Sequence, residues 1–159
     1  MGLIMDNIIK SIQDLKIVLP EAAKPVANYS PYVLHKDMIY VSGQIPFKNG
    51  ILAYKGKVGK DINIDEAITA SKICLINTLA VLNLATNNNL NKIKSCIKIN
   101  VFINSSDDFI QQPEVADGAS NLIKEIFKDD GSHARSAVSC NSLPKDASVE
   151  IDSIFQLKD

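Results

Sequence analysis

The amino-acid sequence predicts an α+β sandwich in which one mixed β-sheet carries two long helices on a single face. Three observations predict it. Apolar and polar residues alternate at 38–45, 96–104, 134–141 and 147–157, the period of strands half-buried on a sheet. Apolar residues recur at 3–4 spacing from 63 to about 85 and again after Pro113, the stripe of a helix lying on a core. The resulting order, β-β-β-α-β-α-β-β after a short N-terminal helical extension, places both long helices over one sheet. The 159 residues contain no internal repeat, low-complexity tract or linker, so residues 1–159 are expected to form one domain.

Each element has a local cause. Ile4, Ile8, Ile9 and Ile12 share a helical stripe, after which Pro20, Pro25 and Pro31 keep the chain irregular. Tyr32–Leu34 and Met38–Ile45 read as extended, with Lys36-Asp37 turning between them. In the second of these runs Ile39, Val41 and Gly43 fall on one face, and Tyr40, Ser42 and Gln44 on the other. Asn49-Gly50 favours a tight hairpin into Ile51–Tyr54. Asn63 followed by Glu66 has the form of a helix N-cap with its reciprocal acid. The Asn87-Asn88-Asn89 cluster stops that helix. In Cys96–Asn104, Ile97, Ile99, Val101 and Ile103 face one way, and Lys98, Asn100 and Phe102 the other. The second helix carries Val115, Ala119, Leu122, Ile123 and Ile126 and ends at Asp130-Gly131. Two strands, Ala134–Asn141 and Ala147–Leu157, close the chain.

Composition excludes several functions. Hydrophobic residues make up 46% and charged residues 22%, ordinary for a soluble globular protein. A net charge of −1 without a basic patch argues against nucleic acid as a partner. Lys55, Lys57 and Lys60 read as a solvated loop. Cys74, Cys96 and Cys140 lie far apart in apolar runs, which argues against disulfides and zinc and for buried thiols in a reducing compartment. No segment resembles a signal peptide, and no apolar run approaches the ~20 residues of a membrane span. A cytoplasmic protein needing no metal or organic cofactor is expected.

Arg135 is the only arginine among seventeen Lys and Arg residues. A chain that meets its surface needs with lysine has one planar fork of donors, suited to a carboxylate or phosphate. The competing reading is a structural ion pair. On the last strand Val149, Ile151, Ser153, Phe155 and Leu157 should face the helices, and Glu150, Asp152, Ile154 and Gln156 the other side. If Leu143–Asp146 closes a hairpin between the last two strands, Ser142 faces Ala147. Arg135, Ala137 and Ser139 then share the face of Glu150, while Val138 and Cys140 join the apolar face. That outer face, mixing Ile154, Phe102 and Ala137 with Glu150, is apolar enough to predict self-association.

Three segments in order resemble the RidA/YjgF family: Tyr40-Val41-Ser42-Gly43-Gln44-Ile45-Pro46, Ala134-Arg135-Ser136, and Leu143-Pro144 through Val149-Glu150-Ile151. The resemblance spans roughly Ala27 to the C-terminus. Pro113-Glu114-Val115, Gly118-Ala119-Ser120 and His133-Ala134-Arg135-Ser136-Ala137-Val138 mark a divergent branch. It implies a chorismate-mutase-like fold, a homotrimer with clefts between subunits, and hydrolysis of enamine/imine intermediates such as 2-aminoacrylate to 2-keto acids and ammonia. The family's carboxylate-binding arginine falls on Arg135 and its water-placing acid on Glu150. Its aromatic falls on Tyr29 and its serine-glycine pair on Ser42 and Gly43. Where well-studied members have a cysteine two residues after the arginine, this chain has Ala137, whose backbone carbonyl could serve. Their helix asparagine has no clear match, Asp117 or Gly118 being nearest.

Imine hydrolysis asks for orientation and one positioned water rather than a strong nucleophile. Arg135 would clamp the carboxylate, and Glu150 would activate water and return a proton to ammonia. Two other readings stay open: a non-catalytic binder or sensor of small carboxylates, and an endoribonuclease, an activity reported for some family members. Tyr29 can instead pack beside Pro31, and Ser42-Gly43 can instead be a tight strand position where small residues allow close approach. His133 is expected to cap the end of the second helix rather than act as acid or base. His35 is expected in a surface turn.

Overall fold

A computed structural model describes residues 7–22 and 28–159, so Ile4 of the N-terminal stripe and Pro25 lie outside the described residues. The elements are α1 (Ile8–Asp14), β1 (Tyr32–His35), β2 (Met38–Gln44), β3 (Phe47–Lys48), β4 (Ile51–Leu52), α2 (Ile64–Ala85), β5 (Ile93–Asn104), α3 (Gln112–Phe127), β6 (Ala134–Cys140) and β7 (Val149–Leu157). Five strands form one sheet in the order β1-β2-β7-β5-β6, with β3 and β4 a separate hairpin. The β5–β6 pair is parallel and the others antiparallel, giving the mixed sheet expected.

The helices pack on one side of it: α2 lies over β2 and β7, α3 over β5 and β6, and the two lie against each other. A Cβ at Gly118 would collide with the Ile68 carbonyl, so the missing side chain sets how closely α3 approaches α2. α1 packs beside α3, with Ile8 and Ile12 buried and the Ile9 N–H donating to Asn91 Oδ1. By length and composition α2 would suit a membrane span, although no unbroken apolar run announced it. More than half of its apolar stretch is instead buried under the sheet and α3.

Local signals held where the chemistry was local. Asn63 caps α2 and Glu66 returns the bond, completing a capping box. Asn49 and Gly50 both adopt positive φ, 54° and 76°, in the β3–β4 turn. Met38 pairs with His35 across a two-residue turn, leaving His35 exposed as expected. Val149, Ile151, Ser153 and Phe155 are buried under the helices.

Three register predictions are corrected. In β5 a bulge between Cys96 and Lys98 turns Cys96 inward and leaves Ile97 exposed. In β2 one extra residue at Ser42-Gly43 breaks the alternation, so that Gln44 pairs with Ile151. The third correction is the largest. β6 and β7 are not a hairpin, because β5 lies between them and pairs parallel with β6 through the α3 crossover.

Lys57 also departs from its reading as a solvated side chain. Its Nζ donates to the Asn141 carbonyl (2.6 Å) and to Asn104 Oδ1 and the Ser105 carbonyl (3.2 Å each). It thereby ties the loop before α2 to the ends of β5 and β6.

Candidate active site

Glu150 sits on β7, near the middle of the sheet, and pairs with Phe102 of β5 on the face away from the helices. The β2 bulge carries Gly43 against it. A Cβ at Gly43 would collide with Glu150 Oε1 and would stand 3.0 Å from its Cδ and 3.2 Å from its Cγ. The Glu150 side chain thus occupies the space that any other residue at 43 would fill. Burial raises the Glu150 carboxyl above its usual range, and the Asp152 carboxylate on the same face adds to the rise.

Glu150 and Gly43 help line a cavity of about 760 Å³, together with Tyr29, Pro31, Phe47 and Asn77. Ser42 builds one wall indirectly: its Oγ donates to the Ser30 carbonyl (2.7 Å) and its N–H to the Pro31 carbonyl (3.0 Å). Those bonds hold the segment that presents Tyr29. Asn77, from α2, spends its Nδ2 on the carbonyls of Ile45 and Phe47 (3.0 Å each), both of which also line the cavity. Asn77 escaped the sequence reading because nothing in its helical context distinguished it.

Arg135 is not part of this cavity. In β6 it pairs with Ile99, a buried residue of the helix-facing side, so Arg135, Ala137 and Ser139 point toward α3. Ala137 packs against the core. Val138 is on the open face with Glu150, the reverse of the face expected from a hairpin. Phe102, Ile154 and Glu150 do share that open face, as predicted; Ala137 does not. From Glu150 the register steps through Phe102 to Val138, three residues from Arg135. Two strand spacings and three residues put the Cα atoms roughly 14 Å apart, with side chains on opposite faces.

The Arg135 guanidinium has protein partners. Nη1 donates to Asp117 Oδ1 (2.7 Å) and to Ser120 Oγ (3.1 Å), both on α3. Ser120 Oγ lies 2.9 Å from His133 Nε2, and His133 Nδ1 lies 3.0 Å from the Gly131 carbonyl. His133 does meet a carbonyl just past the end of α3, as expected of a capping residue, and it reaches back to Ser120 as well. The sequence reading passed over Ser120; the available signal was its i,i+3 spacing from Asp117, which puts both on one side of the helix.

Cys74 and Cys96 are buried, and burial pushes both thiols up, Cys96 to about 12. Among the described residues no three His, Cys, Asp or Glu side chains converge as metal ligands would.

This geometry has relatives. A family model described as "YjgF/chorismate_mutase-like, putative endoribonuclease" matches residues 11–155. Protein TCP17 of Trypanosoma cruzi is 37% identical over 148 residues, 92% of each chain. A 2-iminobutanoate/2-iminopropanoate deaminase of Dermatophagoides farinae is 30% identical over 147 residues, 89% of this chain and 95% of that one. The crystal structure of Atu1372 from Agrobacterium tumefaciens, a protein of unknown function, superposes with a TM-score of 0.89 at 41% identity, covering 97% of this chain and 94% of that one. The three sequence motifs, the five-stranded mixed sheet under two helices and a match over nearly the whole chain agree: the protein belongs to the RidA/YjgF family of chorismate-mutase-like fold.

Proposed function

We propose that the protein is a hydrolytic deaminase that converts reactive enamine/imine intermediates of the 2-aminoacrylate type to 2-keto acids and ammonia. The observation that carries this reading is Glu150, a carboxyl raised by burial and seated against the bare Cα of Gly43 in the wall of a cavity. A carboxyl raised above its usual range can take a proton from water and give one back to nitrogen in the same turnover. Water adds to the C=N carbon as Glu150 receives its proton, the imine nitrogen is protonated, and the carbinolamine collapses to the keto acid as ammonia leaves. Identity of 30% with a 2-iminobutanoate/2-iminopropanoate deaminase supports the same chemistry. Tyr29, Gly43 and the Ser42-anchored segment would shape the substrate's surroundings.

Arg135 would hold the substrate carboxylate. Because it lies on the opposite sheet face from Glu150, the two can meet one small substrate only if separate copies of the chain supply them. The exposed Val33, Tyr40 and Val138, with Phe102 and Ile154 beside them, give the open face the apolar character of a covered surface. Both observations support a site between copies of the chain, in keeping with the homotrimer that the family resemblance implies. Light scattering should return the trimer mass, and a monomer would remove the shared site.

The endoribonuclease wording of the family description supports a second reading, against which stands a net charge of −1. The deciding experiment supplies imine in situ from an amino-acid oxidase or a serine/threonine dehydratase and follows keto-acid formation above the uncatalysed rate. Glu150→Gln should abolish the acceleration while leaving 2-keto acid binding in place. Arg135→Lys should weaken that binding by about 1–3 kcal/mol, on the order of one hydrogen bond to a charged group. Binding of 2-keto acids without any turnover would make the protein a carboxylate sensor.

A further inference from the structure

We infer that Ser120 and His133 are positioning residues for Arg135, which they orient so that the Nε–Nη2 edge of the guanidinium takes the ligand's carboxylate. The inference rests on the proposed role of Arg135 as the carboxylate clamp and goes on to ask what holds the clamp. Arginine carries five N–H donors in a rigid plane, so fixing one nitrogen fixes the direction of the rest.

Donor and acceptor capacities determine the network. Nη1 has two hydrogens, and both are spent, one on Asp117 Oδ1 and one on Ser120 Oγ. The Gly131 carbonyl can only accept, so His133 Nδ1 carries a hydrogen. In the neutral ring Nε2 is then the acceptor, and the Ser120 hydroxyl donates to it. Every donor in the chain Arg135 → Ser120 → His133 → Gly131 points the same way, an arrangement in which each bond polarises the next. The far end is rigid backbone: Gly131 closes the 3₁₀ turn after α3, where a Cβ would stand 2.9 Å from Lys124 Cα.

What remains is three N–H groups, on Nε and Nη2, that have no side-chain or backbone partner among the described residues. They form the edge of the fork that matches a carboxylate with two parallel bonds. A lysine could satisfy Asp117 or Ser120 but would then present no second, fixed edge. A purely structural ion pair needs Asp117 alone; the serine–histidine relay adds direction rather than charge.

The test measures binding of 2-oxobutanoate and of its uncharged amide, 2-oxobutanamide, to the full-length protein by calorimetry, with thermal melts to confirm folding. Ser120→Ala and His133→Ala should each weaken 2-oxobutanoate binding about tenfold and leave the amide unchanged, since only the carboxylate uses the oriented edge. Ser120→Thr, which keeps the hydroxyl, should restore affinity. In an Arg135→Lys background Ser120→Ala should cost less than about twofold more, because the fork it orients is gone. If Ser120→Ala and His133→Ala bind 2-oxobutanoate like wild type while Arg135→Lys does not, the clamp stands and the positioning role is overturned. Equal loss for acid and amide, or no rescue by threonine, overturns it too. If Arg135→Lys itself binds normally, the clamp reading falls and takes this inference with it.

Discussion

Gly43→Ala offers a direct test of whether the seat of Glu150 matters. The new Cβ would overlap Glu150 Oε1 and approach its Cδ to 3.0 Å and its Cγ to 3.2 Å, whereas carbon atoms rest at about 3.5–4.0 Å. The atoms met belong to a flexible side chain rather than to backbone, so the glutamate should swing aside and the sheet should hold. Gly43 does not need a positive φ, so alanine adds no backbone strain of its own. A displaced rotamer costs about 0.5–1.5 kcal/mol. For a chain of this length that lowers Tm by roughly 1–6 °C. Losing a positioned general acid–base group costs about 10²–10⁴ in rate. Gly43→Ala should therefore fold, assemble and melt nearly like wild type, yet lose at least about a hundredfold in kcat/KM for imine generated in situ. An active Gly43→Ala protein with an unchanged melt would refute the claim that catalysis depends on the carboxylate in this position.

Further outcomes follow from the same geometry. Glu150 is raised by folding, so the folded chain binds that proton more tightly than the unfolded chain, and this contribution to stability is lost as pH rises from the ordinary value of 4.5 through the raised one. Glu150→Gln should accordingly be more stable than wild type at neutral pH, with the gap closing in acid; chemical denaturation across pH 3–8 reads it, on the order of the window those reference values define. Gly118→Ala meets the Ile68 carbonyl, which is backbone and cannot swing away, so the helices must part at a cost of about 1–3 kcal/mol, visible as a lowered Tm. Asn63→Ala removes the capping box of α2 and should cost about 1 kcal/mol in urea unfolding. Among the three free thiols, Cys140, which is only partly buried, should react first with a disulfide reagent, whereas Cys74 and Cys96 should wait for opening of the fold.

What the residues disclosed in advance was whatever depended on neighbours in sequence. The α2 cap, the Asn49-Gly50 turn, the α3 stripe and the inward face of β7 each follow from a few adjacent side chains, and each stands in the structure. Bulges were not legible, because an extra residue at Ser42-Gly43 or near Cys96 leaves composition and spacing unchanged and reveals itself only through its pairing partner. The β6–β7 error has a different origin. Leu143–Asp146 is short enough to suggest a hairpin, and a register counted across that loop is self-consistent yet applies to strands that never meet. The counter-signal was present: β5, the 16-residue helix α3 and β6 form a strand–helix–strand unit, whose strands prefer to lie parallel and adjacent.

The placement of Arg135 and Glu150 on opposite sheet faces limits what one chain can do alone. With Arg135 and Glu150 on one face of one hairpin, a single chain could have held both ends of a substrate, and self-association would have been incidental. With them on opposite faces, and β5 between their strands, each chain would offer half of the proposed chemistry at either of two places. Arg135 is fixed at the sheet edge by α3, and Glu150 is fixed mid-sheet by the β2 bulge; both supports are rigid elements, and neither can swing across roughly 14 Å. Hence mixing two single variants gives the sharper result. Mixing Arg135→Ala chains with Glu150→Gln chains, each inactive alone, should regenerate activity if exchanged subunits assemble one site with both native residues. The expected maximum is a minority of wild-type sites, set by random mixing. Recovery on mixing and none from either variant alone supports a site shared between copies; two inactive proteins that exchange subunits yet stay inactive would place Arg135 and Glu150 in separate functions.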